Sequence, residues 1–162
     1  MILFRPSAGF AFSHPAHVVA LGFGAGLAPF APGTAGTAAA WPVGWLLAGT
    51  LHPALEFALI ALLFALGVWA CELTGRHLGV SDHGSMVWDE IVAFLLILAI
   101  VPRTFAWQAA AFALFRLFDI AKPPPIRWFE RRYRGGFGVM FDDIIAAGYA
   151  LLVLAAAKRF LL

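Results

Sequence analysis

Charge is what this sequence has little of. Only 12% of its 162 residues are Asp, Glu, Lys or Arg, about half the share found in an ordinary soluble domain. A soluble fold of this length must cover its surface with polar groups, and eleven basic plus nine acidic side chains are few for that. Cysteine is nearly absent too. With Cys71 alone there is no internal disulfide, and the redox compartment leaves no mark. No run of strict apolar–polar alternation suggests strands, and no internal repeat or low-complexity linker breaks the chain. A secretory leader needs an unbroken apolar stretch behind a basic start. Residues 1–20 are interrupted by Pro6, His14, Pro15 and His17, so none is expected there.

What is present is apolar. Such residues make up 62% of the chain and the mean hydropathy is +0.88, so the bilayer is the expected solvent. Five apolar stretches stand out, at 38–51, 54–71, 91–101, 105–117 and 144–157. Crossing about 30 Å of hydrocarbon takes about 20 helical residues, and only 54–71 approaches that without borrowing from its flanks. The pattern predicts an all-α, single-domain integral membrane bundle of four or five short helices: two tight hairpins over 38–71 and 91–117, then a last helix. Residues 1–19 are expected to form an N-terminal extension. The positive-inside rule places Arg127, Arg131, Arg132 and Arg134 in the cytoplasm. Counted through five crossings, 22–37, 72–90 and 118–143 then share that side. Trp41, Trp88, Trp107 and Trp128 are expected as interfacial anchors, and the five histidines as surface or interfacial groups without metal-ligand spacing.

The scarce charge is unevenly placed. Eight of the twenty charged residues lie between Arg116 and Arg134, around "KPPP". Three acidic groups abut the ends of apolar stretches: Asp89–Glu90 in "VWDEIV", Asp119 in "LFDIAKP" and Asp142–Asp143 in "FDDI". Carboxylates at helix N-termini favour the dipole, which accounts for any one pair. Three groups gathered on one side point instead to a divalent cation. The oxygen donors, with no His or Cys cluster, favour Mg2+ over Zn2+. Neighbours on a helix diverge by about 100°, so each pair is expected to supply one ligand and one base or supporting group. Lys122, Arg116 and Arg127 are available to hold a phosphate. Arg116 and Asp119 share a helix face, as site residues or as a structural ion pair. The Gly- and Pro-rich stretch 22–37 reads as a shaped loop. It ends at Thr34 and Thr37, either as an anion-binding helix start or as an ordinary cap. "RGGFG" at 134–138 would let backbone approach a headgroup. No nucleic-acid module is visible.

The segments "PFAPGTAGT", "VWDEIV", "FRLFDIAKPPPIRWFE" and "RGGFGVMFDDIIAAGYA", in this order over about residues 20–155, resemble the bacterial phosphatidylglycerophosphatase A family. The resemblance implies a Mg2+-dependent lipid phosphatase in phospholipid synthesis. It would release the terminal phosphate of phosphatidylglycerophosphate, an anionic phospholipid, at the cytoplasmic face of the inner membrane. By position it implies an acidic site of Asp89, Glu90, Asp119, Asp142 and Asp143, all candidate metal ligands, with Arg116 and Lys122 beside it. Asp89, Asp119 and Asp143 are the candidate catalytic groups. Arg116, Lys122, Arg127, Thr34 and Thr37 are the candidate substrate contacts. A CDP-alcohol transferase would need an Asp-Gly-x-x-Ala-Arg run, which is missing. A transporter would place charge in mid-span, whereas here the acids sit at span ends.

Overall fold

A computed structural model describes residues 5–47 and 49–161. The described chain is helical, with no strand: α1 (Ala8–Ala11), α2 (Pro15–Ala20), a 3-10 segment (Gly22–Leu27), α3 (Pro32–Leu47), α4 (Pro53–Leu78), α5 (Trp88–Ile100), α6 (Phe105–Ala121), α7 (Ile126–Arg132) and α8 (Gly135–Leu161). Five long helices form the bundle. The expected tight hairpin over 38–71 does not form: α3 and α4 follow one another in sequence but α3 packs chiefly on α5 and α4 on α8, while α5 and α6 touch only lightly.

α5 is the axis. Val92, Ala93, Phe94 and Ile97 are fully buried, because α3, α4, α6 and α8 all pack on it. A helix that is apolar all round must be enclosed on all sides. Small residues set the approach of its neighbours: Gly36 of α3 faces Val87, Gly44 faces Leu95 and Leu98, and Gly67 of α4 faces Met140 and Trp88. These pairings make α3 and α5 parallel, so the N-termini of α3, α5 and α8 and the C-termini of α4 and α6 gather at one end. Segments 22–37, 79–87 and 122–134 therefore meet there.

Two helices, α4 and α8, are long and apolar enough to cross a membrane. The outer face of the bundle is apolar: Leu55, Leu62, Leu66 and Trp69 on α4 and Phe105, Leu117 and Ile120 on α6 are exposed. Along α4, Leu55 to Trp69 rises about 21 Å, and along α6, Phe105 to Ile120 rises about 22 Å.

Several element limits differ from the apolar stretches. α8 begins at Gly135, well before Ile144, and "RGGFG" is its first turn rather than a free loop. Gly135 has φ +76° and Gly136 lies against the Val68 carbonyl of α4. The Glu72 carboxylate of α4 accepts the Gly136 N–H at 2.8 Å, so a side chain from another helix caps α8. α4 continues past Cys71 to Leu78 and stops at Gly79, whose φ of 73° turns the chain back. α3 begins at Pro32, with the Ala31 carbonyl accepting from Ala35 N–H at 3.1 Å, so Thr34 and Thr37 lie inside the helix instead of capping it. The described part of the N-terminal extension is helical and packs on the bundle. α2 packs on α4, with His17 buried and its Nε2 2.8 Å from His77 Nδ1. His83 is buried as well. Trp88 is internal rather than interfacial, its Nε1–H donating to the Leu63 carbonyl at 3.0 Å; Trp41 is half-buried, and it and Trp45 both donate to Oε1 of buried Gln108. Only Trp128 of the four expected anchors is largely exposed.

Candidate active site

The first turn of α5 carries Asp89 and Glu90, where free backbone N–H groups and the dipole favour negative charge. α8 passes that turn with Asp143 facing it. One carboxylate oxygen from each of Asp89, Glu90 and Asp143 lies within 4.8 Å of the other two. Asp89 and Asp143 are buried, and the Glu90 side chain is only 12% exposed. Asp89 Oδ1, Glu90 Oε2 and Asp143 Oδ2 have no hydrogen-bond partner among the described residues. Three buried carboxylates this close repel one another and lose their water, a cost that demands a cation or protons. Hard oxygen donors, convergent and unpartnered, match what a divalent cation such as Mg2+ requires.

α6 supplies the next layer. Arg116 Nη1 lies 2.8 Å from Asp119 Oδ2 and 3.4 Å from Glu90 Oε1, so the i,i+3 pair legible in the sequence forms and also reaches Glu90 of the three acids. Asp119 faces the Asp143 carboxylate. Arg116 Nε is buried and has no partner among the described residues. Gly33 of α3 closes the other side: a Cβ placed there would collide with Glu90 Oε1 and stand 3.0 Å from Arg116 Nη2. The "PGT" segment thus belongs to the site through its lack of a side chain.

Lys122 ends α6 in a left-handed conformation, φ 43° and ψ 62°, which costs a non-glycine residue roughly 1 kcal/mol. The turn aims Nζ at Asp142 Oδ2, 2.6 Å away, with Glu130 at 3.4 Å. Burial opposes the lysine charge, but Asp142, then Asp82 and Glu130, outweigh it and hold its pKa above the ordinary value of 10.5. Tyr149 O–H, donating to the Pro124 carbonyl at 2.8 Å, ties down the proline turn that follows.

The five expected acids therefore divide. Asp89, Glu90 and Asp143 converge, Asp119 adjoins them through Asp143 and Arg116, and Asp142 turns to Lys122. The Asp142–Asp143 pair splits as helix geometry dictates. The Asp89–Glu90 pair does not, because the longer glutamate arm brings its carboxylate round to its neighbour's side. Arg127 stands apart: it is exposed, and Nη2 donates to the Ala121 carbonyl at 3.1 Å, capping α6. Thr37 is fully buried and its hydroxyl donates to the Gly33 carbonyl at 2.9 Å, while Thr34 is half-buried in the first turn of α3. Asp82 was not singled out by sequence. The 79–87 loop brings it to the cleft lined by Asp142, Arg131 and Arg134, and the lone acid in a loop carried no helix-end signal.

Comparison with known proteins agrees with the motif order. The family model described as phosphatidylglycerophosphatase A matches residues 18–158. The chain is 45% identical over 150 residues to a phosphatidylglycerophosphatase A of Haemophilus influenzae, covering 92% of each. It is 45% identical over 136 residues to that of Escherichia coli K12, covering 83% of this chain and 78% of the relative. A putative phosphatidylinositol-3-phosphatase of Bacteroides thetaiotaomicron is 38% identical over 149 residues, 87% of this chain and 92% of the relative. No solved structure matches. With both the motifs and most of its length matched, the chain belongs to the phosphatidylglycerophosphatase A family and is a phosphatase.

Proposed function

We propose that this protein hydrolyses the terminal phosphate monoester of phosphatidylglycerophosphate, giving phosphatidylglycerol and phosphate, as a Mg2+-dependent enzyme of the bacterial inner membrane. The observation that carries the reading is the convergence of unpartnered Asp89, Glu90 and Asp143 oxygens beside Arg116. The exposed apolar band supports an embedded bundle, and the arginines of α7 and Arg134 sit at the same end as the acids. By the positive-inside rule that end faces the cytoplasm.

Asp89, Glu90 and Asp143 would hold the cation, which when bound neutralises phosphoryl charge. Arg116, fixed by Asp119 and Glu90, presents its unpartnered Nε–H to a phosphate oxygen. Asp119 is the group placed to take a proton from the attacking water. In direct hydrolysis the water oxygen bonds to phosphorus and the ester P–O bond breaks. The proton held on Asp119 then passes to the departing glycerol oxygen. Lys122, its charge secured by Asp142, offers a second cationic group for the lipid headgroup. The putative phosphatidylinositol-3-phosphatase among the relatives favours a second reading, in which the same groups act on another lipid phosphomonoester.

The test is phosphate release in detergent–lipid micelles from both lipids, with Mg2+ or with EDTA, for wild type, Asp143→Asn and Asp119→Asn. Metal-dependent release from phosphatidylglycerophosphate is expected, and Asp119→Asn should lose about 10²–10⁴-fold in kcat, the usual worth of a positioned proton acceptor. Full activity in EDTA, or an Asp119→Asn variant as fast as wild type, would overturn the assignment. Preference for the inositol lipid would move the substrate to the second reading.

A further inference from the structure

The turns of α8 from Phe137 to Ile144 present two different faces. Gly138, Val139 and Asp142 line a polar cleft of about 400 Å3, together with Asp82, Glu130, Arg131, Arg134 and Tyr133. Phe137, Phe141 and Ile144 line a separate hollow of about 340 Å3 against Phe57, Ile60 and Phe64 of α4. Leu96 of α5 also lines it, and every residue around it is apolar. From Phe64 to Phe57 it follows the helix axis for about 10 Å.

We propose that this hollow seats one acyl chain of the lipid substrate while its polar headgroup lies at the end of the bundle that carries the cleft and the acids. The proposal rests on the reading that the substrate is a phospholipid. Two observations separate it from bulk lipid lying against an apolar helix. One is continuity: Tyr133 on the rim of the cleft lies 6.1 Å from Phe137, and Phe137 stacks on Phe141 at 5.2 Å between ring centroids. An unbroken aromatic path therefore joins the two sites. The other is polarity: charged side chains of both signs, Arg131, Arg134, Asp82, Glu130 and Asp142, stand at the cleft end and no charged residue lines the hollow. A molecule with a polar, charged head and a hydrocarbon tail matches that order and its reverse does not. Because Phe141 precedes Asp142 directly, a chain seated in the hollow also bears on the segment that positions Asp142 and Asp143.

The test fills the hollow. Ala61 lines it and is exposed, so Ala61→Trp adds bulk without disturbing the core, while Ala65→Trp places the same bulk on an exposed face of α4 outside it. Ala61→Trp should raise KM for the dipalmitoyl substrate by tenfold or more with kcat within twofold. KM for the deacylated, water-soluble headgroup should stay unchanged, and Ala65→Trp should match wild type. Equal effects on both substrates, or none on either, would overturn the assignment. Labelling by a phospholipid with a photoreactive group in one acyl chain reads the hollow without turnover. Cross-links concentrated on residues 57–64 and 137–144, and lost in Ala61→Trp, are expected. Cross-links spread over exposed faces such as Leu62 and Leu152, unaltered by the variant, refute the site. Wild type inert toward both substrates would refute the phospholipid reading instead, and the labelling would still decide the hollow.

Discussion

Gly33→Ala isolates the acidic site from ordinary stability effects, because two contributions of opposite sign meet at one methyl group. Gly33 is helical, and in an open helix the change to alanine favours the folded state by up to about 1 kcal/mol. Gly148 of α8, whose added Cβ would meet nothing within 4 Å, should show that gain. At Gly33 the methyl would overlap Glu90 Oε1 and press on Glu90 Cδ and Arg116 Nη2, each 3.0 Å away. Relief requires the Glu90 carboxylate to retreat by roughly 1 Å, against a nearly buried arginine. Overpacking of this kind typically costs about 1–3 kcal/mol, so the net change at Gly33 is a loss of about 0–2 kcal/mol. The larger effect falls on function, since displacing a ligand or its support usually weakens metal binding about 10–100-fold. Phosphate release titrated with Mg2+ should therefore need at least tenfold more metal for half-activation, with kcat partly recovered at saturation. Gly36→Ala is the control: its methyl would press on Val87, 2.8 Å away, lowering stability with the Mg2+ titration unmoved. A Gly33→Ala enzyme with wild-type Mg2+ response, or a Gly36→Ala enzyme with an equal shift, would refute the placement of Glu90 in the site.

Lys122→Met leaves buried Asp142 without its cation and should lower stability by about 2–4 kcal/mol. Adding Asp142→Asn should restore the thermal midpoint but not turnover, and a fully active double variant would argue against a substrate role for Lys122. His17 tests the N-terminal helices through pH. Burial first, then the nearby His77 and His14, hold its pKa below the ordinary 6.5 despite its bond to the Phe10 carbonyl. The unfolded chain thus takes up the proton first, and stability falls as pH drops below about 6.5. His17→Phe should flatten the midpoint between pH 7.5 and 5 relative to wild type, and parallel curves would contradict it.

The acids were legible because charge is rare here. In a chain this apolar, Asp89–Glu90 and Asp142–Asp143 stand out at the ends of apolar stretches, although Asp142–Asp143 prove to lie two turns inside α8, and helical spacing alone pairs Arg116 with Asp119. What escaped depends on distant partners. The start of α8 escaped because hydropathy sees only apolar residues, whereas Gly135–Gly138 becomes helical by packing on Val68 and accepting a cap from Glu72. His17 and His77 are sixty positions apart, and nothing local foretells their contact. Gln108 draws no notice in the sequence, and the two indoles that donate to it come from α3, more than sixty positions away. Gly33 escaped for a different reason: its contribution is space, which carries no chemical signature in one sequence.

The apolar faces of the helices are unequal in height. On α4 and α6 they rise about 21–22 Å by helix geometry, whereas on α8 exposed apolar residues run from Phe137 to Phe160, about 34 Å. The upper edge on α6 is Ile120, 72% exposed and next to Asp119. In the proposed membrane setting, about 30 Å of hydrocarbon would be matched along α8 and would thin beside the lower wall of α6. A phospholipid arriving on that side would then meet the level of the acids without leaving its leaflet, and the uneven wall would act as a ramp.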